Sequence, residues 1–142
     1  MGPRCGRGLG LATVSTNEAD GTMGDVRSTV LIVDDHDDFR TSARALLEAE
    51  GFEVVGEAAD GTGALAAVAA LRPNIVLLDI QLPGSDGFAV ADQLAMAPDP
   101  PTVVLISSRD AAAYGPRLIQ TSARGFLPKS ALSGEALAAL VG

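Results

Sequence analysis

Three carboxylates, two hydroxyls and one ammonium lie where the chain passes from apolar runs into loops. Asp34 and Asp35 close the run at 29–34 (TVLIVD), and Asp79 closes 74–79 (NIVLLD). Ser107 and Ser108 close 102–107 (TVVLIS), and Lys129 follows the short run 124–127. If these runs are neighbouring parallel strands, all six side chains gather at one sheet edge. Two carboxylates about 5 Å apart at an effective dielectric of ~20 repel by roughly 3 kcal/mol. Three together therefore need a compensating cation, or one must stay protonated. Lys129 supplies one positive charge, and a hard divalent ion held by a few oxygen ligands suits Mg²⁺. An acceptor carboxylate, a metal and a pairing cation are the parts that phosphoryl transfer requires. Each part has a plainer role as well. An Asp-Asp pair after a strand can cap a helix, an Asp before a Pro-Gly loop can build a turn, and a lone lysine is commonly a solvated surface charge. Their coincidence at one edge is what the plain roles leave unexplained. His36 has no second His or Cys near it and reads as an exposed loop residue; Asp37 and Asp38 read as solvated first-turn acids that favour the helix dipole.

The elements that would position these groups follow from hydrophobic spacing. Residues 37–50 place Phe39, Ala43, Leu46 and Leu47 on one helical face, and Gly51 stops the helix. A second strand at 53–57 precedes an Ala-rich helix at 62–71, which ends before Pro73. Pro83, Gly84 and Gly87 break the loop after Asp79. A helix at 88–96 ends at Pro98, Pro100 and Pro101, and a last short helix spans 135–141. Strand–helix alternation five times over predicts parallel strands with right-handed crossovers. Strands apolar along their whole length predict helices on both faces. The expected architecture is a three-layer α/β sandwich whose functional crevice lies at the carboxyl ends of the strands. Gly115-Pro116 falls inside the expected fourth helix, 109–123. Proline in a helix interior costs ~3 kcal/mol or more, so this helix is predicted to start near Pro116, with 109–115 a loop or a separate turn.

The 142 residues suit one domain. Residues 1–28 lack any helical or strand period and read as a flexible N-terminal tail; 29–142 form the domain. Glycines 6, 8 and 10 lie in this tail with no strand before them, so they read as tail and not as a phosphate loop, and Met23 is a candidate start. Three basic and three acidic residues lie in 1–28 of the chain's 10 and 18, leaving 7 and 15 beyond, so all of the −8 charge belongs to the domain. Such acidity argues against holding nucleic acid through its phosphates. With Cys5 the single cysteine, no intrachain disulfide is possible, and a cytoplasmic location is expected. No apolar run reaches the roughly 18 residues that span a bilayer, and no membrane partner is expected. Walker-type and Gly-x-Ser-x-Gly motifs are absent.

Taken together, VLIVDDHDDFR (30–40), VLLDIQLPGSDG (76–87), VVLISS (103–108) and GFLPKS (125–130) resemble the receiver domain of bacterial two-component response regulators. The resemblance implies a flavodoxin-like fold, a five-stranded parallel sheet of order 2-1-3-4-5. It implies that Asp79 accepts a phosphoryl group from a sensor histidine kinase or a phosphotransfer protein. It further implies that Asp34, Asp35, Asp79 and the backbone carbonyl of Gln81 hold Mg²⁺. Ser107 would be the switch hydroxyl, Phe126 the switch aromatic and Lys129 the phosphate-pairing cation. Such a chain is a phosphoacceptor and not a turnover enzyme, acting as a monomer or a weak phosphorylation-dependent dimer on a downstream protein that the sequence does not name.

Several positions bear on how far the resemblance carries. Pro128-Lys129-Ser130 is the form found in receivers that carry a helix-turn-helix output, but the residues after Lys129 are too few for that domain. The reading is therefore a stand-alone receiver, with a fragment of a DNA-binding transcriptional regulator as its rival. Phe126 lacks the hydroxyl of the more familiar tyrosine, so its two states differ only by packing. Gln81 and Arg109 occupy positions that tune phosphate lifetime in the family. Gln81 also argues against a phosphatase with an aspartyl nucleophile, which needs a carboxylate two residues after it. A pseudo-receiver that only binds partners has no use for the clustered charge.

Overall fold

The computed structural model describes residues 28–141. The expectations for a flexible tail, for the Gly-rich stretch and for Met23 fall on residues outside that range. Five parallel strands form the central sheet: β1 (Thr29–Val33), β2 (Glu53–Ala58), β3 (Ile75–Asp79), β6 (Thr102–Ser107) and β7 (Gly125–Pro128), in the order β2-β1-β3-β6-β7. Counting only these strands, that is the predicted 2-1-3-4-5. The helices α1 (Asp37–Ala49), α2 (Gly61–Leu71), α3 (Gly87–Ala95) and α4 (Arg117–Gln120) fill the four crossovers, and α5 (Gly134–Val141) follows β7.

Alternation along each strand divides the core in two. Leu31 and Val33, with Val76, Leu78, Val103 and Leu105, face Ala64 of α2 and Phe88, Ala91 and Leu94 of α3. Val30 and Ile32, with Ile75, Leu77, Val104 and Ile106, face Ala43 and Leu47 of α1 and Leu137 of α5. The strands are apolar on both sides because both sides are covered, and β3 is buried at every residue.

Helix boundaries have local causes. Gly51 takes φ +99°, a left-handed conformation that lets the chain turn out of α1. Asp60 caps α2 by accepting from Gly63 N at 2.7 Å, and Asp86 caps α3 by accepting from Phe88 N at 2.9 Å. The predicted break in the fourth helix is present. A single 3₁₀ turn, Ala111–Ala113, precedes Gly115 at φ +56°, and Pro116 stands at the N-cap of an α4 only four residues long. Sequence reasoning missed one feature, a small antiparallel hairpin of β4 (Gln81–Leu82) and β5 (Ser85–Asp86) directly after Asp79. Two-residue strands are too short to show a period.

Gly87 is where this hairpin returns to the sheet. A Cβ there would lie 2.5 Å from the carbonyl oxygen of Asp79 and 2.6 Å from Ile80 Cα. These are backbone atoms, so the loop carrying Asp79 would have to move. Gly87→Ala is expected to lower stability by about 1–3 kcal/mol, in the range of overpacking, read as a lower urea midpoint at unchanged m. A midpoint equal to wild type would show that the loop yields freely.

Candidate functional site

Strand register brings the polar groups together. β1 and β3 pair Val33 with Leu78, so Asp34 and Asp79 are level one step on. β3 and β6 pair Asp79 with Ile106, one residue before Ser107. β6 and β7 pair Ser107 with Pro128, one residue before Lys129. Adjacent strands run about 4.8 Å apart, so register puts groups on neighbouring strands within reach of one another at the carboxyl end of the sheet; Asp34 and Lys129 end strands three places apart, and the long lysine side chain closes that span.

Asp34, Asp79 and Ser107 are the polar residues buried in the described core. Lys129 Nζ lies 2.5 Å from Asp34 Oδ2 and 3.3 Å from Asp79 Oδ2, and 4.6 Å from the centre of the Phe39 ring. It donates a hydrogen bond to Asp79. Its approach to Asp34 is an ion contact without hydrogen-bond alignment, which leaves the buried Oδ2 of Asp34 with no hydrogen bond. Asp34 Oδ1 accepts from His36 N at 2.8 Å and contacts His36 Nδ1 at 3.0 Å. Asp79 Oδ1 accepts from Gln81 N at 3.0 Å, so it serves the turn while its other oxygen faces the lysine. Arg40 donates to the backbone carbonyl of Asp34 and bridges to Asp37 and to Glu57, and Arg44 also reaches Glu57, which holds the Glu57 carboxyl low.

The plain alternatives for the acidic pair can now be weighed. The residue at the N-cap of α1 is His36, with no side-chain cap bond, so neither Asp34 nor Asp35 caps that helix. Expected to be a simple exposed loop residue, His36 is exposed, yet its Nδ1 also lies 3.2 Å from Asp35 Oδ1. Its ring stands at the mouth of the acidic group. Ser108, expected beside Ser107, is exposed, whereas Ser107 is fully buried. Ser107 Oγ accepts from Arg109 N at 3.0 Å and lies 2.5 Å from the hydroxyl of Tyr114. Phe126 is half-buried, its ring 6.0 Å from that of Tyr114. Sequence reasoning passed over Tyr114. Its signal was its position as the lone aromatic just before Gly115-Pro116.

Burial is the largest influence on all three charged groups at the centre. It drives Asp79 up, and the nearby Asp34 charge adds to this against the opposing Gln81 N–H and Lys129; the net shift is upward. For Asp34, burial is outweighed by the Lys129 contact and the two His36 hydrogen bonds, so its carboxyl is held low. Lys129 is held above the usual lysine value because its two carboxylates outweigh its own burial. One ammonium thus confronts the carboxylates of Asp34, Asp35 and Asp79, and negative charge is in excess. Asp34, Asp35, His36 and Asp79 each offer a ligand atom, all within 4.8 Å of one another. A hard divalent cation suits this mainly oxygen donor set, whose three carboxylates carry more negative charge than Lys129 alone offsets. No helix among the described residues is long and apolar enough to cross a membrane.

Comparison with known proteins identifies the family and the fold. The family model for the response regulator receiver domain matches residues 30–141. The response regulator GacA of Pseudomonas aeruginosa is 36% identical over 103 residues, covering 72% of this chain and 48% of GacA. The chain spans about half the length of the curated relatives it matches. Among solved structures, the signal receiver domain of NarL from Mycobacterium tuberculosis is 36% identical with a TM-score of 0.72, covering 81% of this chain and 96% of that one. A two-component response regulator of the LuxR family from Aurantimonas sp. SI85-9A1 is 27% identical with a TM-score of 0.71, covering 80% and 82%.

The opposite shifts of the two buried aspartates make opposite predictions. Asp79 is raised in the folded state, so its ionisation costs stability as pH rises through its folded value. Without divalent cations, Asp79→Asn is expected to melt a few degrees above wild type at neutral pH. The gain should shrink as pH falls through the raised value and vanish below about 3.8, the ordinary value. Asp34 is lowered, so its charge stabilises above 3.8 and the benefit is lost below that. Asp34→Asn is expected to melt lower than wild type at neutral pH. Thermal melts of both variants from pH 3 to 8 check the signs.

Proposed function

We propose, for a chain that belongs to the response regulator receiver domain family of two-component signalling, that Asp79 is its phosphoacceptor. In this reading a phosphorylated histidine of a sensor kinase or phosphotransfer protein is the donor. A carboxylate oxygen of Asp79 attacks phosphorus; the new P–O bond forms as the P–N bond breaks, and the imidazole leaves. Each chain accepts one phosphoryl group and is not a turnover enzyme. The observation that carries the reading is Lys129 Nζ bridging two buried carboxylates, Asp34 and Asp79, beside the buried hydroxyl of Ser107.

Each residue has a role that its environment supports. Lys129 already sits 3.3 Å from the acceptor, where it pairs with the added charge of about −1.5 to −2. Ser107, one residue beyond the partner of Asp79 in the register, donates to a phosphoryl oxygen. Asp34, Asp35, Asp79 and the backbone carbonyl of Gln81 would hold Mg²⁺. The ion would supply positive charge against the phosphoryl oxygens and the clustered carboxylates. Gln81 N fixes the Asp79 carboxyl through its hydrogen bond. Engagement of Ser107 alters the packing around Phe126, which is half-buried and so changes a surface that a downstream protein reads.

Intact mass after incubation with acetyl phosphate tests this. A single phosphoryl adduct is expected with Mg²⁺, with none after chelation by EDTA and none in Asp79→Asn. An adduct that persists in Asp79→Asn would reassign the acceptor. No adduct on folded wild-type protein would leave a binding module that does not accept phosphate.

A further inference from the structure

The hydroxyl that the phosphoryl group would recruit already has a partner. Ser107 Oγ lies 2.5 Å from the Tyr114 hydroxyl and also accepts from Arg109 N. Ser107 has one proton to donate. The Tyr114 ring is held edge-on to Phe88, at 5.9 Å and 64°, and tilted against Phe126 at 6.0 Å. It is half-buried against the core cluster that includes both strand β6 and helix α3. The backbone that presents it is short and lightly tied. Tyr114 ends a single 3₁₀ turn, Gly115 follows at positive φ, and α4 has only four residues. Arg117 anchors the far side of this segment, pairing with Asp86 and lying 4.2 Å from the centre of the Phe88 ring.

We propose that Tyr114 is a positioning residue that latches Ser107 in the unmodified protein, and that phosphorylation of Asp79 releases it. The inference rests on Asp79 being the acceptor. Hydrogen bonds to a charged oxyanion are roughly twice as strong as those between neutral hydroxyls. A phosphoryl group on Asp79 therefore draws the Ser107 hydroxyl toward the acceptor, and that turn breaks the contact with the Tyr114 hydroxyl whichever of the two oxygens carries the shared proton. The Tyr114 hydroxyl loses its partner in a half-buried position, where an unpaired polar group is unfavourable. With one turn of helix behind it, the ring moves outward to water. The vacated space lies against Phe126, an aromatic that has no hydroxyl of its own to sense Ser107. Tyr114 thus supplies the hydroxyl that Phe126 lacks, from a different element of the fold.

The chain itself provides the probe, because Tyr114 is its single tyrosine and it has no tryptophan. Tyrosine emission is followed during phosphorylation by acetyl phosphate and Mg²⁺, with intact mass taken on the same samples. Emission is expected to change in proportion to the adduct fraction and to stay constant in Asp79→Asn. Tyr114→Phe keeps the ring and removes only the oxygen. It is expected to accelerate adduct formation roughly two- to tenfold, the factor one net hydrogen bond carries. In a Ser107→Ala background the same substitution should leave the rate unchanged, since the latch is already gone. An adduct that forms with static emission overturns the latch, as does a Tyr114→Phe rate equal to or below wild type, or the same effect of that substitution in both backgrounds. If mass shows no adduct on wild type, the phosphoacceptor reading itself fails and the latch falls with it; the mass channel separates the two failures.

Discussion

One ammonium faces more carboxylate than it can neutralise, and much of the molecule is arranged around that imbalance. Lys129 touches Asp34 and Asp79, both buried, while Asp35 adds a third negative group at the solvent edge. Burial disfavours the charges of Asp34, Asp79 and Lys129, and their neighbours decide the outcome for each. Asp34 has Lys129 and His36 and is held low; Asp79 shares the same lysine, feels Asp34 and is raised. Two chemically identical side chains thus acquire different characters from position alone. In the proposed function, the residual negative charge would draw a cation, and that cation together with Lys129 would favour a phosphoryl group.

Holding such a cluster requires a rigid frame, and the two-faced core provides it. Every strand residue beneath the site is apolar and buried from Val30 to Val33 and from Ile75 to Leu78. The register between these strands sets the Asp34–Asp79 spacing, and β7 brings Lys129 to the same height. The loops are pinned from outside. Arg40 holds the Asp34 carbonyl through a bridge to Glu57 on β2. The β4–β5 hairpin returns to Gly87, whose missing side chain lets α3 start against the Asp79 backbone. Asp79 is therefore fixed by its strand on one side and by a tight turn on the other.

On the β6–β7 side the packing is aromatic and looser. Phe88, Tyr114 and Phe126 form a row of three rings, and among the described residues α4 alone of the five α-helices is reduced to a single turn. Proline accounts for that reduction, since its ring and missing N–H exclude it from a helix interior. A tyrosine freed from a long helix is able to point at Ser107. The same break that shortens α4 connects the buried edge of the site to the surface.

Much of the fold was determined by sequence alone. Apolar runs of strand length, alternating with helical periods and stopped by Gly and Pro, specify a parallel sheet covered on both faces, while its strand order was implied by the family resemblance; the Gly115-Pro116 break was equally legible. The residue types at strand ends identified Asp34, Asp35, Asp79, Ser107 and Lys129 as a group, because polar residues closing apolar strands have few other reasons to recur. Tertiary structure alone decided how they interact. The sharing of Lys129 between two aspartates, the opposite shifts of those aspartates, the approach of His36 to two carboxylates and the bond from Tyr114 to Ser107 all depend on distances of a few ångströms between segments far apart in the chain. Hydrophobic period reports which face of an element is buried. It carries no information on which polar atoms meet across the sheet edge, because that depends on register, loop closure and burial acting together.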